Sequence, residues 1–127
     1  MYSFDLNSVA PKDGDVRLAG GNVRSEGRVE VFYGGQWSTV CDGSWDDNDA
    51  RVVCRQVGFD LGYSQALINA YFGPGTGDNI LDQVRCDGSE AGILSCPSSG
   101  IYNHKRCSHS DDASVRCGKK TDSHYSL

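Results

Sequence analysis

The chain has 127 residues, 38% hydrophobic and 23% charged, with 16 glycines, 3 prolines and 6 cysteines. That length suits one domain, and no run approaches the roughly 18 apolar residues of a membrane-spanning helix. A net charge of −5, from 17 acids and 12 bases, argues against a general binder of nucleic acid or anionic membranes.

Residues 1–14 carry no periodicity and include Pro11 and Gly14; they are expected to be a leader or linker. They show neither a basic start nor an apolar run, so no secretory leader is expected among them. A secreted protein would then be represented here by mature sequence or an excised domain. Val16-Arg17-Leu18, ended by Gly20-Gly21, reads as a short strand. From Arg28 to Tyr33 the chain alternates, with Val29, Val31 and Tyr33 on one face and Arg28, Glu30 and Phe32 on the other. Gly34-Gly35 supplies the positive φ angles of a two-residue turn, and Gln36–Cys41 returns to complete a hairpin.

The clearest helix follows. Asp46, Asp47, Asn48 and Asp49 offer N-cap side chains and negative charge at the positive end of the helix dipole. Ala50, Val53, Cys54 and Val57 then recur at i, i+3, i+4 and i+7, one apolar stripe. Arg51, Arg55 and Gln56 are expected to face away, and Gly58 stands at the C′ position. With Cys54 on the stripe, a disulfide is expected to pin the helix to the core. Tyr63–Phe72 has both strand-like and helix-like features, and residues 73–77 (GPGTG) form a loop. Leu81–Cys86 resembles a strand, and Ser89–Cys96 a short helix with Ile93 and Leu94 inward. Ser114–Cys117 reads as a closing strand, and residues 119–127 as a flexible tail. The folded unit spans 15–118 and is a small mixed α+β domain.

Cys41, Cys54, Cys86, Cys96, Cys107 and Cys117 are even in number and contain no CxxC, which removes the usual support for a zinc ribbon or a thioredoxin-like motif. The modest apolar content gives a thin core, and thin cores in extracellular domains are commonly stapled. Three disulfides in an oxidising compartment are expected, and spacing alone does not choose among the pairings.

The succession VRLAGG, GRVEVFYGGQWSTVC, WDDNDARVVCRQVGF, FGPGTG, ILDQVRCDGSE, ILSC and CSHSDDASVRC resembles a scavenger receptor cysteine-rich (SRCR) domain from about Asp15 to Cys117. The family's eight-cysteine group would place further cysteines near Ser25 and at Phe59; their absence is similar to the six-cysteine group A. That resemblance implies the pairs Cys41–Cys107, Cys54–Cys117 and Cys86–Cys96, two long closures and one short one, and a domain that fails to fold under reducing conditions. It implies a curved antiparallel sheet cradling one α-helix, with long loops. It also implies an extracellular binding module, secreted or in a receptor ectodomain, and not an enzyme. Family ligands include bacterial surface polymers, modified lipoproteins and other polyanions, as in innate immunity, and protein partners. A single domain would bind weakly, so the parent protein is expected to be multidomain or oligomeric. The alternative is an adhesion or regulatory module of a larger extracellular enzyme, such as a protease or an amine oxidase, that contacts only protein.

Several family members use calcium, held by two successive acids after the first shared cysteine and by the first acid of an acid-Asp-Ala segment. The matching positions here are Asp42, Gly43 and Asp111. Converging carboxylates favour a hard cation with oxygen ligands, so a weakened calcium site is expected at Asp42 and Asp111, completed by Asp112, carbonyls or water. The alternative makes Asp42 and Asp112 structural acceptors and leaves Asp111 solvated. A second family cation position maps to Asp82, Gln83 and Arg106, where the arginine disfavours an ion.

Arg28, Arg51, Arg55, Arg85, Lys105 and Arg106 are the candidate polyanion contacts, since guanidinium forks match phosphate and sulfate oxygens; the alternative is ordinary pairing with surface acids. His104, Cys107 and His109 superficially suggest zinc, but a disulfide at Cys107 leaves only two ligands. No GxSxG elbow supports a hydrolase triad, and the GPGTG loop lacks the Lys-Ser/Thr of a phosphate loop. Trp37, Trp45, Tyr33 and Phe72 are expected in the core, and no Asn-x-Ser/Thr sequon is present.

Overall fold

The computed structural model describes residues 9–102 and 107–118. The strands are β1 (Val16–Gly20), β2 (Glu26–Tyr33), β3 (Gln36–Val40), β4 (Tyr63–Leu67), β5 (Asn79–Leu81) and β6 (Ser114–Gly118), with one helix, α1 (Asp47–Gln56). Single 3-10 turns lie at Ile93–Ser95 and His109–Asp111. The strands form one sheet in the order β4-β6-β2-β3-β5, with β1 also on β2.

Strand β2 organises the sheet. Of its eight residues, Gly27–Val31 pair with β1, while the opposite edge is shared between β3 (Glu30–Tyr33) and β6 (Glu26–Arg28). Its period-two pattern buries Val29 and Val31 completely, and the register sets Leu18 and Val16 beside them. Gly34 and Gly35, with φ of 60° and 88°, make the tight turn into β3, as left-handed hairpin turns demand. Strand β5 runs parallel to β3, a pairing that needs a long crossover; α1 and β4 lie within that connection.

Helix α1 begins with a capping box. Asp46 accepts from the backbone of Asn48 and Asp49, while the Asp49 side chain accepts from Asp46 N. The buried stripe is wider than the spacing implies: Val52 joins Ala50, Val53 and Cys54, and Val57 is the half-buried C-cap. The helix packs on β4 and β6 and also against the Ile93–Ser95 turn, so two sides require apolar cover. For the same reason Arg55 and Gln56 do not face solvent freely. Arg55 donates to the carbonyls of Gly88 and Glu90, and Gln56 bridges Gly14 O and Ile93 N, satisfying loop backbone that wraps the helix.

Two expected elements are shorter than their patterns. Only Leu81 of Leu81–Cys86 is in a strand, because Gln83 adopts a left-handed φ of 56°. Of Ser89–Cys96 only Ile93–Ser95 coils, with Ile93 buried and Leu94 packed on the core. Residues 87–90 form a loop in which Glu90 accepts from Asp87 N and Gly88 N. The ambiguous Tyr63–Phe72 segment is a strand as far as Leu67 and then turns through left-handed Asn69 and Ala70.

The core joins Val29, Val31 and Val40 of the sheet to Val52 and Val53 of the helix and to Ile80. Trp45 belongs to it, donating Nε1–H to Ser114 O at 3.0 Å; Tyr33, Trp37 and Phe72 are only half-buried. Disulfides join Cys41–Cys107, Cys54–Cys117 and Cys86–Cys96 across separations of 66, 63 and 10 residues. These are the pairs that the family resemblance implies, and Cys54–Cys117 ties α1 to β6.

Candidate functional site: the acidic apex and its arginine surroundings

Three loops meet where β3 ends. Cys41 pairs as an isolated bridge with Asp112, and its disulfide to Cys107 holds the chain that enters the His109–Asp111 turn. Asp42 N donates to Asp111 O at 2.9 Å, and Ala70 N to Asp112 O at 3.0 Å. Asn69 N then donates to Asp42 Oδ2 at 2.8 Å. The segments around residues 42, 70 and 111 are thus fastened by backbone bonds, and Asp42 and Asp111 are brought side by side.

The three aspartates differ in environment. Asp42 and Asp111 are half-buried. Asp42 Oδ2 is engaged with Asn69 N, and Asp111 Oδ2 receives only a long contact of 3.4 Å from Ser108 N. Asp112 is wholly buried, and protein donors reach both of its oxygens: Gly75 N at 2.7 Å, Asn79 Nδ2 at 3.1 Å and His109 Nδ1 at 3.0 Å. Among the described residues, Cys86, Glu90 and Cys96 are the one trio of His, Cys, Asp or Glu whose ligand atoms lie within 4.8 Å of one another, and two of these form a disulfide. Among the described residues one oxygen on each of Asp42 and Asp111 has no donor and suits a hard cation, but calcium takes six to eight ligands, so carbonyls and water would have to supply most of the shell.

His109 is a partner that the sequence pattern did not single out for this role. Its Nδ1 faces the Asp112 carboxylate and its Nε2 lies 2.8 Å from Gly77 O. Both are acceptors, so both ring nitrogens donate only in the imidazolium form. Burial is the largest influence and lowers the His109 pKa, but the Gly77 carbonyl and Asp112 together outweigh it, and the net shift is upward. His109, Asp112, Asn79 and Thr39 form a polar layer beneath the Gly73–Gly77 loop. A Cβ at Gly75 would lie 2.6 Å from Thr39 Cγ2, so only glycine lets that loop lie so close.

The arginines separate into two groups. Arg28 is a scaffold residue: Nε pairs with buried Glu30 at 2.9 Å, and Nη1 donates to Gly73 O at 3.0 Å. Arg55 is held by the two carbonyls already described. Arg51 is exposed beside Gly88, and exposed Arg85 has only a 3.5 Å contact with Gln83 Oε1. Lys105 and Arg106, like His104, lie outside the described residues. Two further arginines stack on aromatic rings: Arg17 lies 4.3 Å over Trp37 while pairing with Glu30, and Arg116 pairs with Glu26 near Tyr71 and Phe72.

A stapled sheet around one helix, with an apex of converging loops, is the architecture of an SRCR domain. The profile of the scavenger receptor cysteine-rich domain matches residues 19–118, and the chain belongs to that family. It is 49% identical over 116 residues to the galectin-3-binding protein of Bos taurus, covering 91% of this chain and 20% of that protein. The Pongo abelii protein of the same name is 50% identical over 115 residues, covering 91% and 19%. The chain therefore spans about one fifth of the curated relatives it matches. Among solved structures, the third SRCR domain of murine neurotrypsin is 46% identical with a TM-score of 0.74, covering 80% of this chain and 94% of that one. The SRCR domain of mouse MARCO, in a dimeric form, is 41% identical with a TM-score of 0.68, covering 81% and 94%. No helix among the described residues is long and apolar enough to cross a membrane.

Proposed function

We propose that residues 15–118 act outside the cell as a ligand-recognition module, not an enzyme, with residues 1–14 as a leader or linker and 119–127 as a tail, in a parent protein that is multidomain or oligomeric. The ligand class is polyanionic: microbial surface polymers or modified self particles. The observation that carries the reading is the juxtaposition of Asp42 and Asp111 by the Cys41–Cys107 disulfide and the Asp42 N to Asp111 O bond. One calcium ion held there would give a cationic contact for an anionic ligand group, with Asp112 holding the turn from beneath. Among the described candidate arginines, exposed Arg51 and Arg85 are free to add contacts, whereas Arg28 and Arg55 maintain the loops. The six-cysteine group is supported by Ser25 and Phe59, which line one open cleft of about 490 Å³ with Val23 and Arg24 where an eight-cysteine member would carry a further pair.

Calorimetry with calcium on the wild type and on Asp42→Ala tests the ion: heat from the former and silence from the latter support it. Heparin competition tests the ligand class. Binding that weakens in Arg51→Glu/Arg85→Glu supports a polyanion, and indifference to both heparin and charge reversal favours a module that contacts only protein.

A further inference from the structure

Beside the acidic apex lies a second pair of loops, and what joins them is a carboxamide. Ser44 and Gln83 both adopt left-handed backbone, with φ of 63° and 56°, a conformation unfavourable for residues that carry a Cβ. The two side chains meet. Ser44 Oγ donates to Gln83 Oε1 at 2.8 Å, and Arg85 Nη2 lies 3.5 Å from the same oxygen. The serine hydroxyl orients the amide, and Nε2 turns toward Gly43. A Cβ at Gly43 would lie 2.4 Å from that nitrogen and 2.6 Å from Asp82 Oδ1. Asp82 itself is anchored: its Oδ1 accepts from Gln83 N at 2.8 Å, and its carbonyl accepts from Ser99 N and Ser99 Oγ.

Acids therefore stand on both loops, Asp42 on one and Asp82 on the other, and each is half-buried. A half-buried carboxylate is stabilised by a cation or a hydrogen-bond donor placed beside it. We infer that the Gln83 carboxamide is a built-in neutral brace: its Nε2 fills the notch beside Gly43, joins the 42–44 loop to the 82–83 loop, and excludes a cation from that position. Gly43 and Gln83 are a matched pair, since any side chain at 43 competes for the volume of the amide. Two left-handed non-glycine residues facing each other across the notch are the strain that this brace overcomes. Insofar as it concerns ions, the inference rests on the proposed calcium contact, and it confines that contact to the Asp111 side of Asp42.

The test is a double-mutant cycle in EDTA with Gly43→Asp, Gln83→Ala and the combination, read by thermal denaturation. Gly43→Asp alone is expected to lower Tm by about 5 °C or more. In the double variant at least half of that loss is expected to return, because the amide no longer occupies the space. Millimolar calcium should then raise the Tm of the double variant by several degrees more than that of Gly43→Asp alone. Strictly additive losses in EDTA, or equal calcium responses with and without Gln83, would overturn the brace. The EDTA arm contains no calcium, so its outcome is independent of whether Asp42 and Asp111 bind an ion. If Gly43→Asp does not fold, Gly43→Ala adds the Cβ alone and enters the same cycle.

Discussion

Asp49 offers the sharpest test of how the helix is joined to the loops. It is fully buried at the third residue of α1 and accepts from Asp46 N at 2.8 Å and Cys86 N at 2.7 Å. One carboxylate thus completes the capping box and ties the helix to the start of the Cys86–Cys96 loop. Burial pushes its pKa up from 3.8 to about 6; the two backbone donors pull it down, and the neighbouring Asp46 charge pushes it up again. The folded state therefore holds a proton that the unfolded chain has released. The resulting stability is fully present below the unfolded pKa and is lost as pH rises through about 6. A rise of that size corresponds to at most about 3 kcal/mol, less whatever the coupling to Asp46 removes. Urea unfolding at pH values from 4.5 to 7.5 would measure it. Wild type should lose stability between about pH 4.5 and 7 relative to Asp49→Asn, which cannot ionise, although the variant is weaker at low pH because one backbone donor loses its acceptor. Parallel curves for the two proteins would refute the reasoning.

Three further outcomes are expected. The His109 imidazole should titrate above 6.5 in an NMR experiment, and its contribution to stability should be lost as pH rises through that midpoint; a midpoint below 6.5 would contradict the paired-acceptor geometry. Arg28→Ala should destabilise the domain by roughly 3 kcal/mol, since it leaves buried Glu30 without one of its partners, whereas Arg51→Ala should change stability by less than about 0.5 kcal/mol; equilibrium urea unfolding separates the two. Full reduction of the disulfides should unfold the domain at 25 °C, because each long closure is worth about 4 kcal/mol and the short one nearly 3 in a chain-entropy model. Native far-ultraviolet and near-ultraviolet dichroism in excess phosphine reductant would contradict this.

Local periodicity made much of the fold legible. The alternation of Arg28–Tyr33 and the glycine pair after it defined the central hairpin, and the aspartates before Ala50 marked the helix start. The left-handed break at Gln83 carried no such signal, because glutamine rarely marks a turn, so Leu81–Cys86 resembled a strand. The adjacency of Asp42 and Asp111 was legible because the implied Cys41–Cys107 disulfide sets it. The polar layer of Thr39, Asn79, His109 and Asp112 depends on the parallel β3–β5 pairing and the bridge at Cys41, contacts between segments far apart in the chain. Arg28 illustrates the same limit. On a half-exposed strand face it resembles a surface contact, yet the GPGTG loop folds over it and turns it into a structural bond.

Mapping backbone amide shifts while dextran sulfate is titrated into the domain in millimolar calcium tests the recognition surface most directly. Perturbations gathered at Asp42, Asn69 and Asp111, with a second set at Arg51 and Arg85, are the predicted result. A spectrum unchanged at saturating polymer, or shifts confined to residues distant from both sets, would contradict it.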